Sequence, residues 1–408
     1  MTGGFTREAG LNTDDKEMAY IITAVGAGGK TSYLKKRAME YLRQGKRAAI
    51  TTTTHIWPPD PGRLLSGNSI SLTQNTVADI DLVDSTHDLH YVGTLERSGK
   101  LSAPSKKEYD RICREFDVVL VEGDGSHCMP VKIPSEREPV IPDHTDEIAV
   151  IMGAHAIGRR LDVVCQRYEG NSREKVTEQM LRRIAEAYYL GPLRKRFPKA
   201  KVFYELSVMP RSEERIAGVL MASGFGRRYG GNKLVDQYHG RALYLHALDH
   251  ITQALGKENT IVVTQYEEIL EQVGKMGIDA VRNDQAAEGI SASIRLGTER
   301  AMSRGADAVM FFAADMPHLP SEEIRLYARQ FIDSQKPYGC MEFGKEHICT
   351  NPGAFRLETG AGKLLQLSGD RGAMRIMKQE PWNIYYYQTA PEYAADIDEK
   401  PLRYTGYT

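Results

Sequence analysis

Twice along this chain an apolar, partly β-branched run empties into a glycine-rich turn, and no other feature limits the fold as strongly. MAYIITAV (18–25) leads into AVGAGGKT (24–31), and IAGVLMA (216–222) leads into MASGFGRRYGGNK (221–233). A buried strand that ends in glycines and resumes as a helix opens a parallel α/β unit, because a parallel neighbour is reached only by a crossover. The spacing after the first turn predicts a helix over 31–44 and strands over 46–54, 117–125, 147–153 and 201–206. Further helices are expected over 105–116 and 173–190. WPPDPG (57–62) reads as loop. After the second turn the same alternation predicts a helix near 240–254 and strands over 259–265, 278–283 and 306–315. The pattern restarts after SVMPRSEER, so a boundary is expected near 207–214.

The length, 408 residues, also exceeds one ordinary core. Basic and acidic residues number 53 and 54, which argues against a general nucleic-acid binder but not against small anionic ligands. No apolar run approaches the roughly 20 residues of a membrane span. Residues 1–17 are polar, lack the apolar centre of a secretory signal, and are expected to be a flexible tail. Five scattered cysteines without a C-x-x-C pair suggest reduced thiols and a cytoplasmic location.

AVGAGGKT matches the phosphate-loop pattern G-x-x-x-x-G-K-[ST], with Ala24 in place of the first glycine. Gly26, Gly28 and Gly29 let backbone N–H groups converge on phosphate oxygens, and the helix N-terminus adds partial positive charge. Lys30 would reach the outer phosphates and Thr31 a magnesium ion; the bland alternative is a strand–helix turn with a solvent lysine. VVLVEGDGS (118–126) offers Glu122 and Asp124 at a strand end as magnesium holders, unless Asp124-Gly125 merely bends the chain. TTTTHI (51–56) places Thr54 and His55 on the edge where parallel sheets bind ligands, although threonine also simply suits a strand.

VGAGGKTS, ITTTTHIWPP, VEGDGS, PVKIP, EPVIP and GRRLD with QRYE follow in order over roughly residues 18–206. Together they resemble the YqeC family of selenium-dependent hydroxylase accessory proteins. The chain departs from that pattern at Gly123, Arg137 and Gln166. No Asn-Lys-x-Asp follows 201–206, so guanine selectivity has no support in this half. The resemblance implies nucleoside triphosphate binding at 26–31 and a molybdenum hydroxylase apoprotein as partner.

The second turn holds Ala222, Ser223, Gly224, Arg228, Gly230 and Lys233 in one loop. A glycine-rich turn with these cations suits a phosphate group, which Gly224 would let the backbone approach closely. No Ser or Thr follows the lysine, so a metal would be held elsewhere. FFAADMPHLP (311–320) offers Asp315, which could also cap a helix. The loop resembles the signature A-[AG]-G-x-S-x-R-M-G-x-x-K of the molybdenum-cofactor nucleotidyltransferases, with Gly226 for the serine and Tyr229 for the methionine.

That resemblance spans about 213–403 and implies catalytic magnesium on Asp315. A second carboxylate would come from AADIDEKPL (394–402), as Asp396 or, in preference, Asp398. EGISASIRLG (288–297) implies nucleotide contacts from Gly289, Ser291 and Ser293, with Asn283 just upstream; Ser291 alone would also suit a helix cap. SGDRGAMRIM (368–377) implies an acceptor site at Gly369 and Asp370, joined by Asn351 and Pro352, where the family carries Gly-His-Pro. Ser223-Gly224 sits closer to the Ala-Gly of cytidylyl members than to the Gly-Gly of guanylyl members.

The implied fold class is α/β in two domains. One is an N-terminal P-loop-like parallel sheet, and the other a C-terminal Rossmann-like nucleotidyltransferase (GT-A-like) sheet. The expected organisation is a tail at 1–17, a YqeC-like nucleotide-binding domain at 18–210 and a MobA-like NTP transferase domain at 213–408. The implied activity is cytidylyltransferase-like: CMP passes from CTP, with Mg2+, to a molybdopterin-type cofactor, releasing pyrophosphate. Two other readings share these residues: transfer to another acceptor such as a sugar phosphate, and a nucleotide-switched hydroxylase chaperone without transferase activity.

Overall fold

The computed structural model describes residues 18–58, 77–84, 87–126, 129–170, 173–209, 213–225, 231–344, 348–370 and 372–397. The tail expected at 1–17 lies outside them. The chain forms two compact units, residues 1–158 with 165–207 and residues 159–164 with 208–408.

In the first unit the glycine turn joins β1 (Tyr20–Gly26) to α1 (Lys30–Leu42). The chain continues through β2 (Ala48–Thr52), β3 (His87–Leu95), α2 (Lys106–Glu115), β4 (Val118–Glu122) and β5 (Glu147–Gly153). It closes with α3 (Glu178–Ala185) and β6 (Lys201–Ser207). The strand order is β6-β5-β1-β4-β2-β3, extended beyond β3 by the antiparallel strand Val77–Asp84 and by two short pieces, and the five pairings from β6 to β3 are all parallel. Parallel strands covered on both faces need continuous apolar runs, and β2, β4 and β5 are buried throughout. Alternation divides the core. Ile22, Ile50 and Leu120 meet Leu34 and Ala38 of α1, while Ile21, Val119 and Val121 meet Ile112 and Cys113 of α2.

Ser105 starts α2 with a capping box, its hydroxyl and backbone paired with Glu108. The helix expected over 173–190 instead begins at Glu178, where Thr177 caps the N–H of Met180. It widens into a π-turn at Glu186–Leu190 and runs on to Arg196. Pro192, which lacks an N–H, accounts for the altered spacing.

The second unit begins with β7 (Ile216–Ala222), then α4 (Leu243–Leu255), β8 (Thr260–Thr264), α5 (Glu267–Lys275) and β9 (Asp279–Arg282). Next come α6 (Ile290–Ser303), β10 (Ala308–Ala313), α7 (Ser321–Ser334), β11 (Tyr338–Phe343) and β12 (Ile348–Arg356). The remainder is α8 (Leu357–Leu365), α9 (Met374–Gln379) and β13 (Ile384–Gln388). The order is β9-β8-β7-β10-β12-β11-β13. β9, β8, β7 and β10 are mutually parallel, and β12 runs antiparallel to both β10 and β11.

Leu220, Val262 and Met310 pack towards α4 and α7, and Val219, Val263 and Phe311 towards α6 and α8. Both faces are therefore filled, and the ligand-accessible part of the sheet is the carboxyl edge of its parallel strands. Two alternatives from the sequence fall here. Ser291 does not cap α6, whose N-cap is Gly289. Asp315 caps no helix, because α7 starts after Pro320. Among the described residues no helix is long and apolar enough to cross a membrane.

Candidate functional site

In the first unit the glycine turn is walled by backbone. The N–H of Ala27 donates to the Ile151 carbonyl at 2.9 Å. Gly28 has φ +75°, and a Cβ there would lie 2.6 Å from the Pro130 oxygen and 2.7 Å from the Gly153 Cα. Only glycine fits. α1 opens at Gly29 without a side-chain cap or first-turn acid, which keeps its N–H groups receptive to an anion.

Lys30 folds back into the turn. Its ammonium donates to the Gly26 carbonyl at 2.8 Å and lies 3.1 Å from Asp124 Oδ1 and 3.9 Å from Glu122. Thr31 Oγ1 donates to Glu122 Oε2 at 2.7 Å, and Asp124 Oδ2 accepts from the Gly26 N–H at 3.1 Å. The structure thus gathers Gly26, Lys30, Thr31, Glu122 and Asp124. Thr54 joins the neighbouring strand end, its N–H bonded to Thr52 Oγ1, while His55 pairs with Glu96 at 2.9 Å instead of joining the cluster.

Three further residues complete the cluster. Fully buried Lys132 lies 3.5 Å from Asp124 and 3.0 Å from Glu138, and also bonds the Gly125 carbonyl. Arg167 donates to Glu138 at 2.6 Å. Sequence reasoning gave these no role, yet each lies in a short motif (PVKIP, EPVIP, QRYE) whose neighbours were noted; the structure shows that the motifs converge on Asp124. Burial pushes the Glu122 carboxyl above its ordinary range, against the pull of Lys30 and Thr31. Burial also acts on Glu138, but the bond and charge of Lys132, with Arg167, outweigh it and hold that carboxyl low.

In the second unit Arg228 and Gly230 lie outside the described residues, as does Asp398. The flanks of the loop are fixed. Ser223 is 8% exposed; its hydroxyl donates to the Val263 carbonyl at 3.2 Å and accepts from Asn283 Nδ2 at 3.2 Å. Asn283 also donates to Ser293 Oγ at 3.0 Å and accepts from the Gln285 N–H. Asn283, Ser223 and Ser293 therefore bind one another where β7, β9 and α6 meet and steady the flank of the loop. Gln265 and Tyr266, missed in the sequence, hold the carbonyls of Ser223 and Gly224 at 2.7 Å each, and Thr264 holds that of Ala222.

Lys233 meets Asp315 at 2.6 Å at the carboxyl edge. The lysine also donates to the Ile397 carbonyl at 3.1 Å, and the Ile397 N–H donates to the Asp315 carbonyl at 3.0 Å. Ile397 is thus laid beside Asp315 by its backbone, and its neighbour Asp396 is exposed. Among the described residues no three His, Cys, Asp or Glu side chains form a ready metal cage. Magnesium takes one or two carboxylates together with substrate phosphates, and Asp315 is a carboxylate of that kind at the sheet's carboxyl edge.

Gly289 (φ +100°) leaves space that Gly369 and Asp370 fill, and the Ser291 N–H donates to the Gly369 carbonyl at 3.3 Å. The expected nucleotide helix and the expected acceptor loop therefore touch. Asn351 and Pro352 border a narrow apolar void with Phe312, Ala313 and Met316, so packing is part of their role. An open depression of about 440 Å³ is lined by Gly372, Met374, Arg375 and Lys378 and adds two cations that the sequence reading had not singled out.

The second unit is thus an α/β domain with a Lys–Asp pair at the carboxyl edge of its parallel strands. Residues 218–383 match the family model for the MobA-like NTP transferase domain, and residues 22–169 match that for the YqeC protein. The chain joins a YqeC region to a MobA-like NTP transferase region. The first is similar to the uncharacterized protein YqeC of Escherichia coli K12, at 33% identity over 153 residues, 35% of this chain and 54% of that protein. The second is similar to a probable molybdenum cofactor guanylyltransferase of Thermococcus kodakarensis, at 32% identity over 123 residues, 29% of this chain and 56% of that protein. The chain thus spans about half the length of these curated relatives. A solved nucleotidyl transferase from Methanothermobacter is similar at 20% identity with a TM-score of 0.38, covering 45% of this chain and 92% of that one.

Proposed function

We propose that the second unit transfers CMP from CTP to the phosphate of a molybdopterin-type cofactor, releasing pyrophosphate. The observation that carries this is the Lys233–Asp315 pair at the carboxyl edge, 2.6 Å apart and beside the glycine loop. An acceptor phosphate oxygen attacks the α-phosphorus as the bond to pyrophosphate breaks. Lys233 turns from Asp315 to the phosphates and offsets charge that grows on the leaving group. Asp315, with Asp396 or Asp398, would hold magnesium, which supplies charge neutralisation at the phosphates. Gly289 and the Gly369–Asp370 loop bring the two substrates' ends together, and Arg375 and Lys378 receive the acceptor's negative charge. The choice of cytosine rests on Ser223. Its side chain is pinned by Val263 and Asn283 and cannot swing aside to widen the loop.

The first unit, on this reading, binds a nucleoside triphosphate at Gly26, Gly28, Gly29, Lys30 and Thr31, with Glu122 and Asp124 serving its magnesium. It acts as accessory to a selenium-dependent molybdenum hydroxylase. The test is magnesium-dependent pyrophosphate release by the purified chain with CTP, GTP or ATP, with and without molybdenum cofactor. Release with CTP only when cofactor is present is expected. Preference for GTP overturns the base assignment, and no release from protein that still binds nucleotide overturns the transferase.

A further inference from the structure

Cys340 and Cys349 lie on neighbouring antiparallel strands, β11 and β12, with their sulfurs 3.3 Å apart. Cys340 is buried, and Cys349 is exposed. Their strands lose register at this point. Met341 faces Thr350 and Cys340 faces Gly353, so Asn351 and Pro352 are the two extra residues of β12. Gly353 packs against Met374 and Met377 of α9, the helix that lines the open depression.

We propose that Cys340 and Cys349 form a reversible dithiol–disulfide site, oxidised by a peroxide, that alters acceptor use by fixing the irregular stretch holding Asn351 and Pro352. The roles of the two sulfurs follow from their setting. Cys349 is solvent-accessible, and the Cys340 thiol donates to its sulfur. That hydrogen bond, helped by Lys378, draws the Cys349 thiol below its ordinary pKa despite partial burial. Cys349 is therefore the thiolate that meets the oxidant and Cys340 the thiol that resolves it.

The Cys349 sulfur attacks one peroxide oxygen, the O–O bond breaks, and with a proton the other oxygen leaves as water, giving a sulfenic acid. The Cys340 sulfur then attacks the Cys349 sulfur. The S–S bond forms, the S–O bond breaks, and a second water leaves with the Cys340 proton. Two thiols and one hydrogen peroxide give one disulfide and two waters, the sulfurs losing two electrons. Closing from 3.3 Å to a bond of about 2 Å pulls diagonal positions of the two strands together where their ladder is weakest.

The test treats the reduced, full-length protein with equimolar hydrogen peroxide, quenches with N-ethylmaleimide and maps peptides by mass spectrometry. A cross-linked 340–349 peptide that dithiothreitol reverses is expected. In Cys340→Ser, which lacks the resolving thiol, Cys349 should instead stop at the sulfenic acid, trapped by dimedone, and advance to sulfinic acid only with a second equivalent of peroxide. Wild-type protein in which both thiols stay alkylatable, or Cys349 over-oxidises without cross-linking, overturns the proposal. The cross-link is read without substrate, so it stands or falls apart from the transferase reading on which the activity arm rests. In that arm, oxidation should raise the acceptor KM of the wild type several-fold, leave Cys349→Ser unchanged and reverse with dithiothreitol. Unchanged kinetics in fully cross-linked enzyme overturn the effect on acceptor use.

Discussion

Gly28→Ala tests whether the first glycine turn is confined by backbone, as its geometry requires. The new Cβ would sit 2.6, 2.7 and 2.8 Å from the Pro130 oxygen, the Gly153 Cα and the Gly153 nitrogen. Those atoms cannot step apart independently, because the Gly153 N–H donates to the Pro130 carbonyl at 2.9 Å. Overpacking of this kind costs about 1–3 kcal/mol. The positive φ adds about 1–2 kcal/mol for a residue with a side chain. A loss of roughly 2–5 kcal/mol follows, which for a unit of about 200 residues lowers Tm by roughly 4–20 °C. Gly45→Ala is the control: φ is +76°, but nothing lies within 4 Å of the added carbon, so only the backbone cost applies. Calorimetry of the three proteins should therefore show the larger fall for Gly28→Ala, together with loss of ATP binding by titration. Equal shifts at the two positions would refute the crowding argument.

Asp315→Asn should abolish magnesium-dependent pyrophosphate release. Lys233→Met should lower it about 10²–10³-fold while Mn2+ binding, read by paramagnetic relaxation, persists. Asn283→Ala strips partners from Ser223 and Ser293 and should cost about 1–3 kcal/mol in urea unfolding, with kcat/KM reduced through a displaced loop. At Asp279 burial is outweighed by bonds from Arg300 and Arg304, so the carboxyl sits below its ordinary range. A depressed acid stabilises the fold above its unfolded pKa of about 3.9 and loses that contribution as pH falls through the folded value. Asp279→Asn should flatten the acid limb of a melting series from pH 6 to pH 3.

The sheets were legible because parallel strands need unbroken apolar runs, and VVLVE (118–122) and EIAVIMG (147–153) provide them. Lys30, Asp124 and Asp315 were legible because each follows closely on a strand end, where topology carries it to the carboxyl edge, and Lys233 because it ends a glycine-rich motif. Lys132, Glu138 and Arg167 had no such marker: their meeting depends on long-range contacts, up to 43 residues from Asp124 in sequence, that no local period encodes. Ser223, Ser293 and Asn283 carry a packing role that no local pattern shows: they bond one another. Buried polar groups need hydrogen-bond partners, and these three side chains, brought together from separate elements, supply them to one another.

The Asp124 cluster also has an order of dependence that single contacts do not reveal. Asp124 is fully buried and holds two buried lysines, Lys30 at 3.1 Å and Lys132 at 3.5 Å, as well as the Gly26 N–H. Lys30→Met leaves Asp124 with Lys132 and that N–H, so no charge is stranded. Asp124→Asn keeps the shape but leaves two ammonium groups to share the remaining acids, with Glu122 3.9 Å from Lys30 and already pushed towards its neutral form by burial. Removing one partner of a buried pair costs about 3–5 kcal/mol, chiefly through the charge left behind. Asp124→Asn should therefore destabilise the unit by that order and Lys30→Met by clearly less, although Lys30→Met should abolish triphosphate binding. A lysine variant that melts as low as the aspartate variant would show that Lys30, and not Asp124, is the centre of the cluster. The turn would then be held by its lysine rather than poised to release it to a phosphate.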